Sequence, residues 1–227
     1  MMHPVLLVHG INDTGAQFSK MCRVLQSQGL GPVHAMDITP SDASITLEAM
    51  GEQVMDSMLA LKETAGAQQV DMVAFSMGAL AVRYFLQMPD GRASVRRLVS
   101  LSGPHHGTLS ALLGWNVGIR QMRPGSAFLS QLNAGEGLWG DVEVFSFWSP
   151  FDLVVIPATS SVLDGAHNRA FGVVLHHWML TDDRVIDAVV RALTSADRQA
   201  AGQQMGPAAE AASHGAGPSN KRFERTA

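Results

Sequence analysis

"VDMVAFSMGAL" (Val70–Leu80) climbs through an apolar run to a single serine, Ser76, and breaks at Gly78. The run before the serine has the length and composition of a strand buried on both faces, and the residues after it have helical spacing. A serine at that junction is either a helix N-cap or a nucleophile on a sharp strand-to-helix turn. In the second case small residues two before and two after let strand and helix pack closely around it. Here those residues are Ala74 and Gly78, so one of them departs from the glycine of G-x-S-x-G. The five residues alone leave both readings standing.

Outward from this stretch, strands alternate with helices. "PVLLVHG" (Pro4–Gly10) is a continuous apolar run that ends at a glycine. A helix is expected over Gln17–Gln28 and a short strand in Gly31–Ile38. Over Ile45–Thr64 the residues Leu47, Met50, Val54, Met58 and Leu61 recur at spacings of three and four, which predicts a helix with one buried face. The methionines on that stripe read as core filler. After strand Val70–Phe75 and helix Met77–Gln87 come strand Arg97–Leu101, an irregular stretch to about Gly140 and strand Val142–Trp148. A last short strand is expected near Phe171–Leu175 and a final helix over Asp182–Leu193. The alternation predicts an α/β domain, a mostly parallel central sheet with helices on both faces. That domain spans 1–195, with an insertion or small helical cap at about 105–140. From 196 to 227 the chain turns small and polar, and such composition predicts a disordered or loosely helical tail.

The chain has 227 residues, 46% of them hydrophobic and 16% charged, with a net charge of −4. That is enough apolar material for one sizeable core. The basic stripe of a nucleic-acid binder is missing, so a soluble enzyme or small-molecule binder fits better. One cysteine, Cys22, excludes an internal disulfide and reads as a small helix hydrophobe. No basic leader precedes the first strand, and no apolar run approaches the roughly 18 residues of a membrane span. The expectation is therefore a cytoplasmic protein as given, or a secreted one if its N-terminus has been trimmed. Contact with a lipid interface stays open, stable membrane insertion does not, and oligomeric state is not readable.

A hydrolytic serine needs a histidine base and an orienting acid, which in this topology follow in the order Ser, Asp, His. Asp152 lies just past strand Val142–Trp148, and "LHHWML" supplies His176 and His177 further on. An oxyanion needs two backbone N–H donors. Met77 follows the serine, and Ile11 follows His9–Gly10 at the end of the first strand.

Together "PVLLVHGI", "VDMVAFSMG", "SPFDLVVIP…LDGAHN" and "HHWML" resemble the α/β-hydrolases, more narrowly the small bacterial lipases and esterases typified by Bacillus subtilis lipase A. The resemblance covers about residues 4–193, and its motifs are specific together and weak singly. In that family the serine pentapeptide begins with alanine, so Ala74 is family-like. The resemblance implies Ser76 as nucleophile, Asp152 as acid, and Ile11 and Met77 as oxyanion donors. It implies His176 over His177 as base, because the family histidine has apolar residues at +3 and +4, here Met179 and Leu180. No cofactor or metal is implied. The substrate implied is a small-molecule acyl ester or lipid, cleaved through an acyl-enzyme. Thioesterase or acyltransferase chemistry on the same triad, and a non-catalytic fold that binds an acyl ligand, are the alternatives.

Two features depart from the family. Phe75 stands where a histidine commonly precedes the serine, giving the site an apolar wall. The stretch 105–140 is longer than a minimal lipase needs, and Leu112, Leu113, Trp115, Val117 and Ile119 are candidate acyl contacts, with a surface-packed insertion as the alternative. Phe75, Leu112 and Trp115 are thus the expected substrate-binding residues. Asp164 is a rival acid but precedes a glycine, which is a turn signal. His105 and His106 are adjacent and without a carboxylate or thiolate cluster, so a metal pair is not expected. His9 reads as a strand-end residue bonding loops, and Arg83, Arg96 and Arg97 as solvated or paired charges.

Overall fold

A computed structural model describes residues 3–134 and 138–203, with side chains through Thr194. The chain divides into two units, Met1–Leu193 and Thr194–Ala227. In the first, the elements run β1 (Val5–Val8), α1 (Ser19–Ser27), β2 (Val33–Met36), α2 (Leu47–Ala65), β3 (Val70–Phe75), α3 (Met77–Gln87), α4 (Gly91–Ser94) and β4 (Val95–Leu101). Then follow α5 (Val117–Gln121), α6 (Ala127–Leu132), β5 (Glu143–Trp148), β6 (His167–Ala170) and α7 (Asp183–Gln203). Of the second unit the described part is helical backbone to Gln203; the rest of the expected tail lies outside the described residues.

The six strands form one sheet in the order β2-β1-β3-β4-β5-β6, and every pairing is parallel. Strand residues alternate between two apolar layers. Leu6, Val8, Met72, Ala74 and Leu98 join the α2 stripe of Leu47, Met50, Val54 and Met58 and the buried face of α3. Val5, Leu7, Val73, Phe75, Val99 and Leu101 join Phe18, Met21 and Leu25 beside α1 and Val185, Ile186, Val189 and Leu193 of α7. Burial on both faces explains why these strands read as unbroken apolar runs. The charge inside one of them, Asp71, is held by a bidentate bond from Arg96 at 2.5 and 2.9 Å. Burial, the larger influence, pushes the Asp71 carboxyl above its ordinary range despite that partner.

Because β1 lies between β2 and β3, the chain changes winding direction there. Crevices at such a switch point open at the carboxyl ends of the strands. The ends of β1 and β3 carry His9–Gly10–Ile11 and Ser76.

The sixth strand corrects an expectation. It is His167–Ala170, paired with Phe145–Trp148, and not the stretch 171–175. All four of its side chains are exposed, so it carries no apolar signal. Phe171 and Val173 are buried in alternation and mimic a strand, yet the chain turns between them, with Val173 N donating to Phe171 O. The stretch 105–140 contains a short 3-10 turn, Leu109–Leu113, then α5 and α6; residues 135–137 of it lie outside the described residues. No helix among the described residues is long and apolar enough to cross a membrane.

Candidate active site

Ser76 sits between β3 and α3 with φ 52 and ψ −124, a region that costs a non-glycine residue of order 1–3 kcal/mol. Its N–H continues the sheet ladder to Leu101 O at 2.9 Å. Its side chain makes no capping bond to α3, which removes the capping alternative. The tight turn is possible because Gly78 has no Cβ: one placed there would overlap the carbonyl oxygens of His9 and Val8. Gly10 faces the serine from the other side, where an added Cβ would lie 3.0 Å from Ser76 Cβ.

His176 opens the 3-10 turn His176–Leu180. Met179 and Leu180 anchor that turn in the core, which explains the +3 and +4 apolar spacing. His176 Nδ1 lies 2.6 Å from Asp152 Oδ2, and both side chains are nearly fully buried. Asp152 Oδ1 accepts the amides of Val154 and Val155 at 2.9 and 3.0 Å. Burial, the largest influence, raises the Asp152 pKa. The His176 bond and charge and the two amides outweigh it and hold the carboxyl below its ordinary range. An ionised carboxylate only accepts, so Nδ1 carries the proton and donates. His176 Nε2 is buried without a hydrogen-bond partner among the described residues.

His177 is engaged elsewhere, its Nε2 3.0 Å from Asp13 Oδ2. Phe75, expected as a substrate contact, is 1% exposed and is not among the residues that line the cavity bordered by Ser76. Its ring lies 4.7 Å from that of His176 and 5.4 Å from that of His177. Phe75 thus packs against both imidazoles.

At the end of β1, His9 Nε2 accepts Ile38 N–H at 2.9 Å, so its Nδ1–H donates to Gly10 O at 2.8 Å. In a trans peptide N–H and C=O point opposite ways. Fixing the Gly10 carbonyl therefore fixes the Ile11 N–H on the other side. Neither the Ile11 nor the Met77 N–H has an acceptor among the described residues.

A cavity of about 280 Å³ is lined by Ile11 and Ser76 together with Pro104, Ala111, Leu113, Ile119, Met122 and Val155. The insertion thus contributes Leu113 and Ile119 to its wall. Leu112 and Trp115 do not line it; they are 54% and 83% exposed. Of the 3-10 turn Leu109–Leu113, Ala111 is buried, while Leu113 borders the cavity with most of its side chain in solvent. Sequence reading passed over Val155, Met122 and Thr108, since a single apolar or small residue in a loop has no periodicity to mark it. Apart from Leu59, the exposed large apolar side chains among the described residues fall in 109–115, 151–156 and 174–178. Two of these segments are laced together: Leu109 N donates to Ile156 O, and Thr108 Oγ1 accepts Ile156 N and donates to Val154 O.

His105 and His106 make contacts of a structural kind. His105 is fully buried between Arg83 and Ser100, at 3.4 and 2.8 Å. Burial, then the Arg83 charge, then His106 hold its pKa well below the ordinary value. Burial also lowers Arg83, to about 10. His106 reaches Val162 O at 3.1 Å. Asp164 precedes Gly165, at φ 72, and its carbonyl accepts Trp139 Nε1. No group of three His, Cys, Asp or Glu side chains disposed to hold a metal ion is found among the described residues.

A family model described as palmitoyl protein thioesterase matches residues 4–133. A triacylglycerol lipase of Pseudomonas fragi is 32% identical over 143 residues, covering 58% of this chain and 48% of that protein. The chain thus spans about half the length of this curated relative. Among solved structures, Aspergillus fumigatus lipase B superposes with a TM-score of 0.74 at 20% identity, covering 85% of this chain and 52% of that one. The mature form of Bacillus licheniformis lipase BlEst2 gives 0.73 at 16% identity, covering 85% and 92%. The fold is that of the α/β-hydrolases.

Proposed function

Because the chain belongs to the palmitoyl protein thioesterase family, we propose that it is a serine hydrolase that cleaves acyl esters through a Ser76–His176–Asp152 triad. One observation carries this reading. Asp152 claims Nδ1 of His176 and leaves the Nε2 lone pair buried and without a partner among the described residues, and the cavity is lined by a serine on a strained turn. His176 Nε2 takes the Ser76 proton as Oγ attacks the acyl carbonyl. Asp152 keeps the imidazole in the right tautomer and stabilises its positive charge. The Ile11 and Met77 amides hold the oxyanion. The imidazolium then protonates the departing alkoxide, and water releases the acyl group from Ser76.

The acyl chain lies in the cavity walled by Ala111, Leu113, Ile119 and Met122. The exposed apolar residues around 109–115 and 151–156 favour a lipid or other hydrophobic ester over a charged one. Ser76→Ala should remove nearly all turnover of a p-nitrophenyl acyl ester while the protein stays folded. Undiminished turnover by the folded variant contradicts the reading.

The family description favours a second reading, a thioester as substrate. The same triad expels a thiolate more easily than an alkoxide. The ratio of kcat/KM for an acyl thioester and an oxygen ester of equal chain length decides between them.

A further inference from the structure

We propose that Asp13 and His177 form a strut across the site that positions the oxyanion loop against the turn carrying the base. This rests on the triad reading above and adds two residues to it, neither touching the reacting atoms. The pair joins positions 164 residues apart, with His177 Nε2 3.0 Å from Asp13 Oδ2. Asp13 is 2% exposed in its side chain although it sits in a loop, and His177 is 56% exposed. A buried carboxylate needs a partner. Its other oxygen accepts only the neighbouring Thr14 N–H, at 3.1 Å, so His177 is the long-range one.

The two ends of the strut carry the site. Asp13 is two residues from Ile11, and His177 is next to His176. The loop 10–13 is pinned at three points: Gly10 O by His9, Asn12 N–H to Ser41 O at 2.8 Å, and Asp13 by His177. The first two pins lead to the β1–β2 side of the sheet. The third alone leads to the base. Phe75, next to the nucleophile, completes the link, since its ring lies against both imidazoles. Loss of the strut frees the oxyanion amide and the base to shift relative to each other, and such misplacement costs rate more than binding.

The test compares Asp13→Ala, His177→Ala, the double variant and His177→Gln, whose amide N–H can reach the same carboxylate. Two readouts are taken on proteins with cooperative thermal unfolding: kcat and KM on a p-nitrophenyl acyl ester, and amide hydrogen exchange over 10–14 and 174–181. Each alanine variant should lower kcat about 10–100-fold with KM within about threefold. The double variant should be no worse than the worse single one, as coupled residues behave. His177→Gln should restore most of the lost kcat. His177→Ala should also speed exchange in 10–14, at the far end of the chain from the change. Additive losses, a wild-type kcat in His177→Ala, or exchange changes confined to 174–181 overturn the strut. An inactive wild-type protein defeats the hydrolase reading, and the exchange experiment still judges the strut by itself.

Discussion

Asp152 Oδ2 stands 2.6 Å from His176 Nδ1 while its Oδ1 accepts two backbone amides, so the carboxylate is fixed at both oxygens. In Asp152→Asn the amide oxygen must stay with the Val154 and Val155 N–H groups. That turns the NH₂ toward His176, donor against donor, and drives the imidazole to the opposite tautomer. Under the proposed mechanism kcat falls on the order of 10³–10⁴-fold, with KM changed little. The same carboxyl has a folded pKa below its unfolded one. Its contribution to stability is complete above the unfolded value of about 3.9 and is lost as pH falls through the folded value. Urea midpoints of wild type and Asp152→Asn should therefore differ at neutral pH and converge in acid.

His105 has the opposite linkage. Its folded pKa lies well below that of the unfolded chain, so the unfolded state binds the extra proton. Stability should fall as pH drops below about 6.5. In His105→Gln that part of the loss between pH 7 and pH 5 should be missing, as read from urea midpoints at the two pH values.

Gly78→Ala places a methyl on the backbone oxygens of His9 and Val8, where no side chain can move aside. Destabilisation of about 1–3 kcal/mol is expected from overpacking of this kind. Because the methyl pushes α3 away from the end of β1, ester turnover should fall as well. Equilibrium unfolding and kcat measured on the same preparation check both.

Ile119→Phe extends the cavity wall inward. If two methylenes of a long acyl chain lose their place, about 1.6 kcal/mol is lost, or about 15-fold in kcat/KM. Short acyl esters should be hardly affected. A chain-length profile from acetate upward reads the difference.

The centre of the sheet was legible in sequence because β1, β3 and β4 are buried on both faces and read as apolar runs. The sixth strand was not, since edge strand His167–Ala170 contributes only backbone and its side chains are polar and exposed. Ser76 was legible as one of two things; its positive φ and the missing side-chain cap bond, neither visible in sequence, speak against the cap. The preference for His176 over His177 came from Met179 and Leu180, whose burial fixes the turn. What sequence could not give was the partner of His177, because Asp13 lies 164 residues away with no local pattern to announce it. The contacts of Phe75 with both imidazoles were hidden for a related reason: strand position says which face a side chain takes, not which loops come down upon it.

Intact mass after incubation with a fluorophosphonate tests Ser76 as the nucleophile. One adduct per chain is expected, mapped to Ser76, absent in Ser76→Ala and much slower to form in His176→Ala. A wild-type protein that takes no adduct, or one that Ser76→Ala still takes at the same rate, contradicts it and leaves an acyl-binding protein without catalysis.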